Sequence, residues 1–405
     1  MNLFNYYGIE TKPRQIVNCN IGLPYKGSKR KIAHHLLQTI SDYAPQANIF
    51  YDCFGGGGSM SLIAYFNGYH TIYNELSTQA FLYFDFLCSQ AQNKKGKYGI
   101  LPDEFYQFVD KETFNKCKQE VASGKHSAYN SFVLYIYSFG NDCHSYFCDK
   151  EKEIFKKKGH YLMIDNDKDC ALWWDNYFAE NGSVNGIYEY MHKNIYPSLN
   201  WRERRAHFVN VTLKIEAIRV AGLKSHFKDG DFNTIRNMKN VDLVNMINDY
   251  APHLAKKKYK DRNGSRNGSR GDKLKELKEL KRLQQLEQLE QLERLERLER
   301  LQDLQRLNLS YNQIDFTQHN PRETIIYNDI PYKNTSQYAI KNFDYELFYE
   351  WAINKAKEGY NVFISEYDMP SDKFECIKEI QSFQSLNKKS TKDYKRVEKL
   401  FVPIV

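Results

Sequence analysis

The chain has 405 residues, more than one core normally organises, so one large or two modest domains are expected. Its 41% apolar and 15% aromatic content is enough for a real core, while the absence of 18 consecutive apolar residues and of a leader-like start (MNLFNYYGIETKPRQ) points to a soluble, intracellular protein with no membrane partner. A formal charge of +8 is compatible with a polyanionic partner, and eight scattered cysteines lack the paired CxxC spacing of a zinc site and fit a reduced, cytoplasmic setting.

Residues 21 to 32 read IGLPYKGSKRKI and lead into a helix-like stretch ending near Tyr43. Tyr25 beside a Gly-Ser turn, with Lys29, Arg30 and Lys31 following, can bring an aromatic face and an ammonium onto a small anionic ligand; a basic surface turn reads the same way. Residues 48 to 78 give a strand at Ile49 to Asp52, a glycine-rich turn at Phe54 to Gly58, a helix from Ser59 and a second strand at Thr71 to Glu75. Glycines between strand and helix let the backbone approach a ligand closely, and a carboxylate 23 residues after Asp52 can hold ribose hydroxyls. Neither GxGxxG nor GxxxxGK[ST] is present, so a nucleoside ligand without a pyrophosphate fits better than a dinucleotide or a nucleoside triphosphate.

Residues 79 to 250 are mostly helical in pattern. Within them, residues 131 to 161 read as a buried helix, a polar turn at Gly140, Asn141, Asp142 and His144, and a basic run at Lys156, Lys157 and Lys158. Such a turn beside lysines suits contacts in a nucleic-acid groove, or is a solvated hairpin; residues 201 to 222 supply a further basic helix whose arginines equally fit a solvated face. From Lys256 to Arg270 the chain is a basic, Gly- and Ser-containing linker, and leucine then recurs at every third position from Leu274 to Leu307. A three-residue step spirals round a helix instead of making one stripe, which excludes a heptad seam and leaves a long, partly solvated helix. Its end, LQRLNLSYNQI, mimics one leucine-rich repeat, but a single unit cannot bury its own face.

Residues 325 to 332 read IIYNDIPY, a buried strand delivering an acid, a proline and an aromatic at its carboxyl end, where open α/β sheets bind ligands. Asp329 there can accept hydrogen bonds from an amine, Pro331 stiffens the turn and Tyr332 can stack on a flat ring, a set suited to a nucleobase amino group. A helix over residues 343 to 361 and a strand over 362 to 370 continue a parallel sheet, and the tail ends in a short apolar strand expected at its edge.

Taken in order, YKGSK, DCFGGGG with NEL, SFGN with a basic segment, NDIPY and FISEYDMP resemble the Dam-like family of DNA adenine methyltransferases. The resemblance covers about residues 20 to 160 and 310 to 405, and its specificity lies in the combination and order of the motifs. It implies an α/β, Rossmann-like S-adenosylmethionine-dependent methyltransferase sheet with an inserted, mainly helical target-recognition domain and a long leucine-rich insertion. The expected division is 1–80 and 311–405 for the catalytic domain, 81–250 for target recognition and 251–310 for linker and Leu-repeat helix.

Carried over by position, Tyr25 and Lys29 match the N-terminal cofactor motif, Asp52, Phe54, Gly55 and Gly57 the glycine-rich motif, and Glu75 the acid that holds the ribose, where the family commonly has Asp. Asp329, Pro331 and Tyr332 match the Asp-Pro-Pro-Tyr catalytic motif; Ile330 departs from it but keeps the backbone carbonyl through which that position acts. The resemblance implies methyl transfer from S-adenosylmethionine to the exocyclic amine of a flipped-out adenine, stacked on Tyr332, with no metal. Asn141, His144, Lys156, Lys157 and Lys158 are the candidate contacts to double-stranded DNA. It implies a cytoplasmic prokaryotic or phage-encoded enzyme, with a cognate restriction endonuclease as an open partner. Two other readings stand beside it: a non-catalytic docking protein using the Leu-repeat helix, and a methyltransferase acting on cytosine N4 or on RNA.

Overall fold

The computed structural model describes residues 14–19, 22, 23, 25, 27–90, 97–99, 101–239, 242, 243, 245, 246, 301, 304–332, 343–382 and 396–405. Short runs of β-branched and aromatic residues form a seven-stranded sheet: β1 (Ile49–Asp52), β2 (His70–Asn74), β3 (Gln305–Leu307), β4 (Thr324–Asp329), β5 (Asn361–Glu366), β6 (Phe374–Ser382) and β7 (Arg396–Pro403). The strand order is β3-β2-β1-β4-β5-β7-β6. Strands β1 to β5 pair in parallel, and β7 is antiparallel to both β5 and β6, so β7 alone runs against the rest.

Helices pack on both faces of this sheet, which is why the central strands β1, β4 and β5 are buried along almost their whole length instead of alternating with polar residues. On one face α1 (Ala33–Tyr43) and α2 (Ser59–Phe66) bury Leu36, Leu37, Ile40, Met60 and Ile63 against Phe50, Ile325, Tyr327, Phe363 and Leu400. The opposite face packs Ile49, Tyr51, Ile72, Ile326, Val362 and Ile364 against Phe348, Tyr349 and Ala352. Successive residues Ile325, Ile326 and Tyr327 thus go to alternate faces, as strand geometry requires. The architecture is an open α/β sheet, mostly parallel and compatible with a Rossmann-like fold.

Two compact units are present. The first holds the sheet and comprises Met1–Lys94, Phe114–Ser145 and Arg294–Val405; the second is Lys95–Thr113 with Tyr146–Glu293. Helix α3 (Thr78–Gln90), most of α4 (Lys111–Ala122) and α5 (Ala128–Ile136) therefore belong with the sheet, although the sequence assigned everything from residue 81 to the inserted domain. The second unit is helical in its described part: α6 (Lys150–Asp165), α7 (Lys168–Glu180), α8 (Ile187–Asn194), α9 (Trp201–Ala221) and α10 (Phe232–Asn237). Its interior is aromatic, with Trp174 and Tyr188 in ring contact with each other and with both Phe178 and Phe208. The basic helix α9 turns part of its charge inward: Arg204 donates to the carbonyls of Tyr196 and Ile164, and Lys214 to that of Arg236.

Two expectations need correction. The linker from 256 to 270 and nearly all of the leucine array lie outside the described residues, but the array does not stay helical to Leu307: Gln305–Leu307 form β3, the sheet edge beside β2. Leucine spacing says nothing about a neighbouring strand, and here pairing with β2 and an Arg306–Asp85 ion pair of 2.7 Å outweigh helix propensity. The tail strand β7 is not at the edge; it lies between β5 and β6. Strand β6, which reads FECIKEIQS and mixes charges with few apolar residues, takes the edge, where charged side chains are tolerated. No helix among the described residues is long and apolar enough to cross a membrane.

The strand-to-helix turn after β1 sets how tightly the sheet and α2 join. Gly58 has φ +71° and a Cβ there would lie 2.2 Å from Cε2 of Phe84, whose ring stacks on Tyr73 at 4.0 Å. Gly58→Ala should therefore lower unfolding free energy by about 2 kcal/mol or more. Gly124→Ala, at φ +84° with nothing within 4 Å, should lose only the backbone part, about 1 kcal/mol. Urea unfolding of the two variants side by side measures the difference, and equal losses would contradict the packing account.

Candidate active site

The connection from β1 runs through α2 to β2 on one side, while β4 leads through α11 (Tyr345–Lys357) to β5 on the other. The sheet therefore changes direction between β1 and β4, and a ligand crevice belongs outside their carboxyl ends. A cavity of about 270 Å³ opens there. Its wall includes Tyr25, Lys29, Asp52, Phe54, Gly55, Gly57 and Glu75, all seven of the expected cofactor residues, together with Asp329 and Pro331.

Close backbone approach explains the glycines. A Cβ on Gly55 would lie 2.2 Å from the Tyr73 ring, and one on Gly57 would lie 2.7 Å from Cβ of Tyr25. The turn is held by Gly55 N–H to the Asn74 carbonyl at 2.8 Å, Gly58 N–H to the Gly55 carbonyl at 2.7 Å and the Tyr73 hydroxyl to the Gly56 carbonyl at 2.9 Å. The N-terminal motif docks on the same turn: Leu23 N–H donates to the Gly57 carbonyl at 2.7 Å, and the Ser28 and Ser59 hydroxyls meet at 2.9 Å. Tyr25 and Lys29 reach the cavity by this tether, and the Tyr25 ring lies 5.6 Å from that of Tyr135 on α5.

Three acids face this space, each in a different state of satisfaction. Glu75 accepts from Gly56 N–H and Ser77 N–H, both at 2.7 Å; burial raises its pKa and these two bonds partly oppose the rise. Each of its oxygens keeps a free lone pair for a ribose hydroxyl. Asp52 is 1% exposed, and its Oδ2 accepts from the Ser61 amide (3.1 Å) and hydroxyl (2.6 Å), whereas Oδ1 has no partner. Burial pushes the Asp52 carboxyl up to about 7, against the pull of the Ser61 bonds. An orphaned buried acceptor on a cavity wall calls for a donor from a ligand.

Asp329, at the tip of β4, pairs with Lys29: Nζ lies 2.8 Å from Oδ1. Lys29 is only 6% exposed and also lies 3.8 Å from Oε2 of Glu398 on β7. Burial raises the Asp329 pKa while the Lys29 ammonium opposes it; for Lys29, burial lowers the pKa but the two carboxylates win, so it stays charged. Ile330, 1% exposed, packs in the apolar cluster beneath α11, and the Tyr345 hydroxyl on that helix holds the Pro331 carbonyl at 2.9 Å.

Tyr332 departs from expectation. It is 4% exposed and absent from the cavity wall; its hydroxyl donates to Glu398 Oε2 at 2.6 Å and its ring lies beneath Lys29 Nζ at 4.6 Å and edge-on to Tyr367 at 4.5 Å. The buried Glu398 carboxylate takes the hydroxyl, which also hydrogen-bonds Asp329, and the ring lies against Lys29.

The expected DNA contacts are divided between the two units. Asn141 and His144 lie in the sheet-bearing unit and Lys156, Lys157 and Lys158 on α6 of the helical unit. Asn141 sits at φ 57° with its amide donating to the Tyr135 carbonyl at 2.6 Å, which commits to the turn the group expected to read a base edge. His144 gives its carbonyl to Lys118 Nζ at 2.8 Å. Lys156 lies over the Phe147 ring at 4.1 Å, Lys157 is exposed and Lys158 is half-buried. Sequence reasoning missed Ser61 and Glu398. The second carried a signal, an acid at 398 on the strand face whose next members, Leu400 and Val402, are buried. The chain matches no model of a known family and no curated protein.

Asp52 links the site to stability. Its folded pKa is raised above the unfolded carboxylate value, so the folded state holds the proton more tightly and stability falls as pH climbs from about 4 through 7. Asp52→Asn should therefore stabilise the protein at pH 8 by on the order of 3 kcal/mol more than at pH 4. Thermal unfolding at the two pH values measures this; an equal effect at both would contradict it.

Proposed function

We propose that the protein is a DNA adenine-N6 methyltransferase that uses S-adenosylmethionine. The observation that carries this reading is the convergence of Asp329 with the glycine turn on one cavity at the switch point of the sheet, although the two motifs lie far apart in the chain. The residues fit the cofactor: an orphaned Asp52 oxygen suits an ammonium, Glu75 retains lone pairs for ribose hydroxyls, and Phe54 and Tyr25 offer apolar walls to a purine. When bound, S-adenosylmethionine supplies an electrophilic methyl group on a sulfonium, which departs as a thioether when an amine nitrogen takes the methyl.

Asp329 is the residue that prepares that amine. Adenine's exocyclic nitrogen is a weak nucleophile because its lone pair is delocalised into the ring. A carboxylate accepting one of its N–H groups, with a carbonyl taking the other, favours a pyramidal nitrogen and stabilises the positive charge that develops there. The Asp329 carboxylate already accepts from a nitrogen donor, the Lys29 ammonium, which supports a nitrogen-bearing substrate. Asp329 then receives the proton that the methylated nitrogen sheds. Because this atom is out of reach inside a duplex, the base must be extruded, at a cost of a few kcal/mol that phosphate contacts offset.

Asp329→Asn keeps the shape of the site and removes its charge. Methyl transfer to duplex DNA should fall about 100-fold or more, while S-adenosylmethionine affinity, measured by calorimetry, stays within a few-fold. Mass analysis of digested nucleosides should find N6-methyladenine from the wild type. Full transfer by Asp329→Asn, or N4-methylcytosine as the only product, would refute the assignment.

A further inference from the structure

Glu398 occupies a position where its strand otherwise buries apolar side chains, and it is 9% exposed. A buried carboxylate is costly unless it is partnered, and its partners are both in the site: the Tyr332 hydroxyl at 2.6 Å and the Lys29 ammonium at 3.8 Å. Lys29 in turn lies 2.8 Å from Asp329. One ammonium thus stands between two carboxylates, in hydrogen-bond contact with the first and about 1 Å short of it with the second.

The position Lys29 holds is the one a substrate amine needs. While the ammonium sits on Asp329, that carboxylate is neutralised and an oxygen is occupied. An amine that takes that oxygen displaces the ammonium, and a buried ammonium without a counter-ion would cost several kcal/mol. We propose that Glu398 is a positioning residue that receives the Lys29 ammonium when the substrate's amine takes its place on Asp329. The exchange makes and breaks no covalent bond, and Lys29 keeps its proton throughout. Its consequence is electrostatic: with Lys29 on Glu398, Asp329 faces the nitrogen with its full negative charge as that nitrogen becomes positive. The ring of Tyr332, 4.6 Å from Nζ and tied to Glu398 by its hydroxyl, is the surface along which the ammonium moves. This inference rests on the adenine reading above and deepens it.

The test compares wild type, Glu398→Gln and Glu398→Asp on a duplex whose target adenine has been located from methylated DNA. Methyl-transfer kinetics and S-adenosylmethionine affinity are measured, together with binding of the same duplex carrying either adenine or purine, which lacks the amino group, at the target. Glu398→Gln keeps an acceptor for Tyr332 but offers no charge to Lys29. It should raise KM for the duplex about tenfold or more, leave cofactor affinity within twofold and abolish the preference for adenine over purine; Glu398→Asp should be intermediate. Wild-type KM and an intact preference in Glu398→Gln would overturn the proposal. So would weaker cofactor binding and a lower Tm with the preference unchanged, the pattern of a merely structural residue. If Glu398→Gln fails to fold, Glu398→Asp decides by the same two readouts. A wild type that binds no S-adenosylmethionine and methylates no adenine refutes the adenine reading and this inference with it; an active wild type with unaffected variants refutes the inference alone.

Discussion

Parallel pairing of β1 with β4 is the constraint from which the site follows. Its register sets Asp52 opposite Tyr327, so the strand that ends in the glycine turn and the strand that ends in Asp329 finish at nearly the same level. Because the chain winds away from this pair in opposite directions, a crevice opens beyond their carboxyl ends. The pairing in turn depends on two-sided burial: Phe50 stacks with Tyr327 at 5.9 Å on one face, while Tyr51 and Ile326 enter the other cluster. Moving β4 by one residue would swap these faces and turn the side chain of Asp329 away from the cavity.

Around that pair the fold accepts an electrostatic burden that a purely structural core would avoid. Lys29, Asp52, Glu75 and Glu398 are each less than a tenth exposed, and Asp329 joins them in the same neighbourhood. Partial compensation is built in through the Lys29–Asp329 pair, the Tyr332–Glu398 bond and backbone N–H groups on Glu75. Removing one member of a buried ion pair typically costs about 3–5 kcal/mol, so the arrangement is cooperative. What is left over, the unpartnered Asp52 oxygen, is the part of the burden a ligand can relieve.

The site was legible where short-range rules decide structure. The strand at Ile49 to Asp52 and the glycine turn declare themselves by composition, and the turn's close contacts with Tyr73, Tyr25 and Phe84 show why glycine is needed there. Residues that function through long-range pairing were not legible. Nothing near Gln305 announces that β2 lies alongside, and the apolar end of β7 does not say whether its neighbours are one strand or two. Glu398 and Tyr332 illustrate the same limit. An acid in a tail strand and an aromatic after a proline acquire their roles only by meeting each other and Lys29.

Ile330 shows how a departure from a motif can be absorbed. Where the resembling family has proline, ring closure fixes the backbone beside the acid. Isoleucine gives up that restraint but adds a branched apolar side chain, and here it is 1% exposed in the cluster formed by α11 and the far face of the sheet. Full burial of such a side chain stabilises its placement by about 1.5–3 kcal/mol, which is comparable with the backbone ordering cost per residue that a proline would avoid. The following carbonyl, of Pro331, is held by the Tyr345 hydroxyl from the same helix. Rigidity at the tip of β4 thus comes from packing against α11 and not from a second ring, so that helix carries part of the positioning of Asp329.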